Sequence, residues 1–318
     1  MTPKSRLDAA LANARAQADA GDPAAARATL DAIAADPALA TLPPLTALGL
    51  NRRLHATLLH LAKRARDPVA RLGLQALLVP PPDLLARFAA PPHRRTMAAA
   101  QAAPVPRILH QIWIGPRPPP PTLPAWETHA AAQGYTHKVW READIAALGL
   151  PADPVYAARL AARDYPGATD AARYAILARD GGIYLDADWF PARNDIGFHD
   201  ITPLTGLIAM AEPAPRATSL GTLLLANSII MAPPAHPALT RLAAILAQVE
   251  AALPGAPAWW TTGPLIFTLI ARMGPLTLLD ATLVADTLPQ TATMADATAR
   301  AARATTQDQG LLLAWKPW

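Results

Sequence analysis

The sequence predicts a mixed α/β domain preceded by an all-α helical domain, and three features of it lead there. Up to about residue 90, apolar residues recur only at helical spacing. From Arg107 onward, short apolar runs alternate with helical stretches, the pattern of an α/β sheet with mixed pairing. Between the two, APPHRRTMAAAQAAPVP (90–106) has no sustained apolar period and reads as a linker. The predicted domains are 1–98, helical, and 99–318, α/β.

In the first part, Leu7, Ala10, Leu11 and Ala14 share one helical face until Gly21-Asp22-Pro23 breaks the pattern. Asp22 can cap a second helix that has Pro23 in its first turn, with Ala26, Leu30 and Ile33 inward, ending before Pro37. A third segment runs over Leu45–Leu61 with Leu48, Leu50, Leu54, Leu58 and Leu59. A fourth starts from Asp67 and Pro68 and carries Leu72, Leu74, Leu77 and Leu78. No second copy appears at fixed spacing, so the prediction is a bundle and not a solenoid.

Composition narrows the function classes. Apolar residues make up 52% and charged residues 16%, a folding sequence. Cysteine is absent, which excludes disulfides, thiolate zinc sites and cysteine nucleophiles. No apolar stretch reaches the length of a membrane span and the N-terminus has no signal-type core, so the expected location is the cytoplasm. Residues 1–104 carry 13 Lys/Arg against 7 Asp/Glu, and the remainder 15 against 17. That basic excess, densest at Lys63-Arg64-Arg66 and Arg94-Arg95, reads either as a solvated helical face or as a docking surface for an anionic glycan or the inner membrane face. The clusters lack interleaved aromatics, so nucleic acid is not an expected partner.

In the second part, Ile108–Ile114 is an apolar run stopped by Gly115, and Thr136–Trp140 a second strand. A helix over Ala168–Asp180 is ended by Gly181-Gly182, and Ile183-Tyr184-Leu185 follows as a buried strand. Asn227–Met231 is a later strand and Pro237–Leu253 a helix. Ligands of open α/β sheets sit beyond the carboxyl ends of strands. Gly115 and Asp186-Ala187-Asp188 both lie at such ends. Strand alternation would point Asp186 and Asp188 to one side. Two adjacent carboxylates are costly unless a cation neutralises them, and a hard ion such as Mg²⁺ or Mn²⁺ prefers oxygen ligands completed by substrate phosphates. Upstream, Asp170 and Arg173 stand at i and i+3 on one helix face.

The segments RILHQIWIG (107–115), YTHKVW (135–140), TDAARYAILARDGGIYLDAD (169–188) and NSIIMAPPAHP (227–237) resemble, in order and spacing, the glycosyltransferases with a DXD-containing sugar-binding region. The resemblance is to the family 32-like group, with the initiating mannosyltransferases and capsular-polysaccharide sugar transferases, and it spans roughly residues 105–265. It implies a GT-A (Rossmann-like nucleotide-sugar-binding) fold and a retaining, hexosyltransferase-type reaction with Mn²⁺ or Mg²⁺. The donor would be a UDP- or GDP-linked sugar and the acceptor a glycan, lipid or protein. It also implies residue roles. Trp113 would lie against the nucleobase, Asp170 and Arg173 would bind the transferred sugar, and Tyr184 would line its pocket. Asp186 would approach both sugar and metal, Asp188 would bind the metal, and Asn227 would lie near the sugar. Read from the residues alone, Trp113 and Tyr184 also have a lesser reading as core aromatics, Asn227 is equally compatible with a turn cap, and His110 reads as a packed strand-end histidine rather than a catalyst.

One feature departs from the group, whose members often close the site with a His, Ser or Glu shortly before a C-terminal Trp. This chain ends QDQGLLLAWKPW. Trp315 or Trp318 is the candidate aromatic lid, and Asp308 or Gln309 the candidate replacement ligand. A catalytically degenerate protein that binds nucleotide sugars or glycans is the alternative reading.

Overall fold

The computed structural model describes residues 2–46, 49–76, 85–90, 93–211 and 224–317. Two compact units emerge, one on Met1–Arg87 and the other on Phe88–Pro213 with Leu223–Trp318. In the first, the named elements are helices: α1 (Pro3–Asp19), α2 (Pro23–Ala35), α3 (Pro37–Ala40), α4 (Arg52–Arg64) and α5 (Pro68–Ala76). Asp22 caps α2 as expected, its carboxylate accepting from the Ala25 amide at 2.9 Å. Leu7, Leu11, Ala14, Ala26, Leu30, Ile33, Leu54 and Leu61 form one buried cluster. The helix expected from Leu45 starts only at Arg52, because Leu45 and Asn51 form an antiparallel bridge and the Asn51 side chain caps the helix. Leu48, Leu77 and Leu78 lie outside the described residues. Arg6, Arg27, Arg53 and Arg64 are tied to Asp36, Asp31, Asp8 and Asp19 on exposed surface. Such pairs contribute little stability, but they commit part of the basic excess within the unit.

The second unit is mixed α/β. Its elements run α6 (Arg94–Ala102), β1 (Ile108–Ile112), α7 (Thr122–Gln133), β2 (Thr136–Trp140), α8 (Glu142–Ala147), α9 (Pro154–Ala161), α10 (Tyr165–Asp180), β3 (Gly182–Leu185) and β4 (Trp189–Pro191). They continue with α11 (Phe198–Ile201), β5 (Ile208–Ala211), β6 (Leu225–Ala232), α12 (Pro237–Ala252), α13 (Ala258–Thr261), α14 (Pro264–Ala271), β7 (Thr277–Leu279), β8 (Val284–Thr287), α15 (Met294–Thr306) and β9 (Leu312–Ala314). Six strands form one sheet in the order β2-β1-β3-β6-β5-β7, and β4-β9-β8 form a second. In the large sheet β1 runs parallel to β2 and β3, β5 parallel to β7, and β6 antiparallel to both neighbours.

The stretch read as a linker is largely helical. Met97 of α6 is buried, the Gln101 side chain accepts from the Leu207 amide, and Pro104 bridges Thr205. Its run of alanines marks no apolar face, so the helical period is hidden at the level of sequence.

The segment that positions the acidic pair is α10–turn–β3. Helix α10 begins at Tyr165, earlier than expected, because Asp164 caps it and Pro166 fits its first turn. Gly181 ends it at φ +64°, and a Cβ there would stand 2.5 Å from the Pro234 nitrogen, so only glycine fits. His110 on β1 secures this turn. Its Nε2 donates to the Gly181 carbonyl at 2.9 Å, and its Nδ1 accepts from the Trp140 indole at 3.0 Å. The packed-strand reading of His110 therefore holds. The reversal folds α10 back along β3. Seven helical residues rise about 10 Å, and the four residue steps from Gly182 to Asp186 about 13 Å. Arg173 is thus returned to the carboxyl end of β3.

Burial lowers the His110 pKa to about 4 from its ordinary 6.5. A histidine depressed in the folded state contributes stability that is whole above pH 6.5 and lost as pH falls toward 4. The stability advantage of the native chain over His110→Gln should therefore shrink by roughly 2 kcal/mol between about pH 7 and pH 4.5. Urea unfolding at the two pH values measures it, and a constant gap would refute a neutral, buried His110.

Candidate active site

The site lies where the carboxyl ends of β1 and β3 meet the start of β6. Asp186 follows β3, and its amide donates to the Ser228 carbonyl at 2.8 Å, extending the antiparallel ladder past Leu185 and Ile229. That register brings Asn227 level with the acidic turn. The acidic pair is not strand-borne, however. The Trp189 amide donates to the Asp186 carbonyl at 3.2 Å, so residues 186–189 form a tight turn into β4. The turn is pinned from outside as well: the Thr122 hydroxyl donates to the Ala187 carbonyl, and the Trp315 amide to that of Asp188 at 2.8 Å.

Arg173 is the centre of the cluster. Its Nη2 lies 2.9 Å from Asp170 Oδ1 and 3.1 Å from Asp186 Oδ1, and its Nη1 donates to the Asn227 carbonyl. Its guanidinium carbon sits 4.6 Å from the centre of the Tyr184 ring, and the Tyr184 hydroxyl donates to Asp186 Oδ1 at 2.8 Å. Arg173 Nε is enclosed without a partner. Asp170 is fully engaged: Asn227 Nδ2 donates to Oδ1 at 2.8 Å and the Thr262 hydroxyl to Oδ2 at 2.9 Å. The Tyr174 hydroxyl donates to the Thr262 carbonyl at 2.8 Å. Asp170, Arg173, Tyr184 and Asn227 are all buried.

Loss of hydration pushes Asp170 up to about 6, against the pull of Arg173. Asp188 is also pushed up to about 6, first by loss of hydration and then by the Asp186 carboxylate, with exposed Lys316 pulling the other way. Two acids this close are the condition that a cation or a ligand's positive edge relieves. Among the described residues no group of three His, Asp or Glu gathers to hold a metal. Asp186 and Asp188 supply two hard oxygen donors, and that pair fits Mg²⁺ or Mn²⁺ with diphosphate oxygens and water completing the shell.

Trp113, just past β1, is half-buried, and its indole donates to the Arg117 carbonyl at 3.0 Å. Among the described C-terminal candidates, the side chains of Asp308, Gln309 and Trp315 bond elsewhere, Gln309 to the Gln307 side chain. Asp308 is bound by Arg193, Trp315 is buried edge-on against Phe190 with its indole on the Ala292 carbonyl, and Trp318 lies outside the described residues. Tyr174 and Thr262 went unread in the sequence. Tyr174 had a signal, at i+4 from Asp170 on the same helix face. Thr262 had none. Replacing Thr262 by valine should leave a buried Asp170 oxygen unpartnered and cost about 1–3 kcal/mol in urea unfolding. A loss below about 0.5 kcal/mol would mean the hydroxyl is not needed there.

Residues 133–202 match the family model described as glycosyltransferase sugar-binding region containing DXD motif. The match includes Asp170, Arg173, Tyr184, Asp186 and Asp188, and leaves Trp113, Asn227 and Thr262 outside. No curated protein matches the chain. Among solved structures, PaToxG Glycosyltransferase is similar at 18% identity, with 60% of this chain and 76% of that one covered and a TM-score of 0.44. The buried arginine and its acidic partners thus sit inside the stretch that matches a DXD sugar-binding region of glycosyltransferases.

Proposed function

We propose that the chain is a metal-dependent, retaining glycosyltransferase that moves a hexose from a UDP- or GDP-linked donor to a glycan, lipid or protein acceptor. The observation that carries this reading is the coincidence of the family match at 133–202 with a bonded cluster of Asp170, Arg173, Asp186 and Asn227 at the strand ends. In it, the unit from Phe88 onward, which takes in α6 and so starts earlier than the expected residue 99, is a GT-A domain, and Met1–Arg87 is a separate helical domain. That helical domain would dock the enzyme at an anionic acceptor or the inner face of the membrane, from the cytoplasm. Among the described residues no helix is long and apolar enough to cross a membrane.

In this reading Trp113 stacks on the nucleobase, Asp170 and Arg173 hold the sugar, and Asp186 and Asp188 hold Mn²⁺ or Mg²⁺. The ion, when bound, would draw charge from the leaving phosphate oxygen as a Lewis acid. Arg173 adds a fixed positive charge in a dry setting, where preorganised electrostatics act most strongly. The bond from sugar C1 to the diphosphate oxygen breaks, and the acceptor oxygen bonds to C1 from the same face. The acceptor's proton passes to the departing oxygen. Both Asp170 oxygens are already bonded, which supports this front-face course over a covalent enzyme intermediate. Among the described residues no third carboxylate or histidine joins the acidic pair, which favours one rival, a degenerate domain that binds nucleotide sugars or glycans without turnover.

A panel of UDP- and GDP-sugars, incubated without acceptor in Mn²⁺, Mg²⁺ or chelator, separates the two. Hydrolysis of at least one donor should appear with metal and vanish with chelator. In Asp188→Asn it should fall on the order of 10²–10³-fold, with the melting temperature little changed. Binding of the donor without hydrolysis would establish the rival. Trp113→Ala should weaken nucleoside diphosphate binding by about 1–3 kcal/mol. Unchanged affinity in calorimetry would return Trp113 to the core.

A further inference from the structure

Two tryptophans directly precede the Thr261-Thr262 pair, and the Thr262 hydroxyl bonds Asp170 in the site. Helix α13 carries Trp259 and Trp260, both partly exposed, with ring centres 5.6 Å apart and planes at 77°. Adjacent helical residues point about 100° apart, so one packed core position cannot account for both. Trp260 turns its Nε1 inward, where it is enclosed without a partner, and Trp259 meets it edge to face.

The mount is rigid. The Thr262 amide donates to the Ala258 carbonyl at 2.9 Å, which carries the helical turn one residue further. The Gly263 amide bonds the same carbonyl, and a Cβ on Gly263 would stand 2.7 Å from the Trp259 Cα. Behind the turn, the Thr261 hydroxyl donates to Glu250, which is bound by Arg159, itself bonded to Asp164. In front, Thr262 holds Asp170. Trp259 lies three residues before Thr262, and the bond from the Thr262 amide to the Ala258 carbonyl closes the turn that holds both. An aromatic surface is thus fixed one helical turn from the hydroxyl on Asp170.

Its place in the sheet names its occupant. Trp113 follows β1, Asp186 follows β3 and Asn227 opens β6, so base site and sugar site are separated across strands about 4.8 Å apart. Asp170, bonded to Asn227, marks the sugar end, and Trp259 adjoins it on the turn that Thr262 continues. The donor's base already has Trp113, and what meets the sugar is the acceptor. A pyranose ring offers a flat C–H face that stacks on an indole. We propose that Trp259, braced by Trp260, is the stacking surface for a pyranose ring of a glycan acceptor.

This rests on the transferase reading, so the test keeps the two apart. The probes are the methyl α- and β-glycosides of glucose, galactose and mannose, with full-length protein. Saturation-transfer NMR should detect at least one of them on the native chain, lose it in Trp259→Ala and retain it in Trp259→Phe. Donor hydrolysis without acceptor should stay within about twofold in both variants. With the bound glycoside as acceptor, KM should rise about tenfold or more in Trp259→Ala. The proposal is overturned if no glycoside binds the native chain, if Trp259→Ala binds it equally, or if the folded variant loses hydrolysis and glycoside binding together. Should Trp259→Ala fail to fold, Trp259→Gln replaces it under the same criteria. A native chain that hydrolyses no donor, yet binds a glycoside through Trp259, would sink the transferase reading and leave the platform standing.

Discussion

The buried guanidinium of Arg173 is the interaction on which the rest of the site depends. Removing such a charge from water costs several kcal/mol, which its ion pairs and hydrogen bonds must offset; only the two Nη atoms are bonded, and Nε is enclosed without a partner. Here the partners are the carboxylates of Asp170 and Asp186, the Asn227 carbonyl and the Tyr184 ring. They come from three different elements: α10, the end of β3 and the start of β6. One charge therefore fixes the meeting point of a helix and two strands. Burial holds the Asp170 carboxyl high despite this neighbour.

That geometry requires the chain to reverse in the right place. The Gly181-Gly182 turn, held by His110, folds α10 back along β3 so that Arg173, in mid-helix, lies level with the end of the strand. Antiparallel pairing of β6 then carries Asn227 to the same end, and Thr122 and Trp315 clamp the acidic turn by its carbonyls. Backbone hydrogen bonds do most of this positioning. The functional side chains remain directed inward at the strand ends, as open α/β sheets arrange them.

Much of this was legible because it is local. Strands β1, β2 and β3 and the helix before β3 announce themselves by apolar runs and glycine punctuation, and Asp170, Arg173, Tyr184 and Asp186 fall on one helix–turn–strand unit. What was not legible is what distant residues decide. Thr262 reaches Asp170 across 92 positions, and nothing in TTGP foretells it. The turn at 186–189 displaced the expected strand alternation, since the pull of Trp315 on the Asp188 carbonyl comes from the far end of the chain. Helix α6 is hidden because alanine marks no face, and the pairing of Asp308 with Arg193, which takes that carboxylate away from the acidic turn, is also long-range.

The central claim is that the cluster around Arg173 is the sugar-diphosphate site. Isothermal titration of UDP and GDP into the full chain, with Mn²⁺ and with chelator, tests it most directly. The account expects one of the two nucleotides to bind in Mn²⁺, with affinity falling by about tenfold or more when the metal is removed. Absence of binding by either nucleotide in the presence of Mn²⁺, in protein shown to be folded, would contradict it.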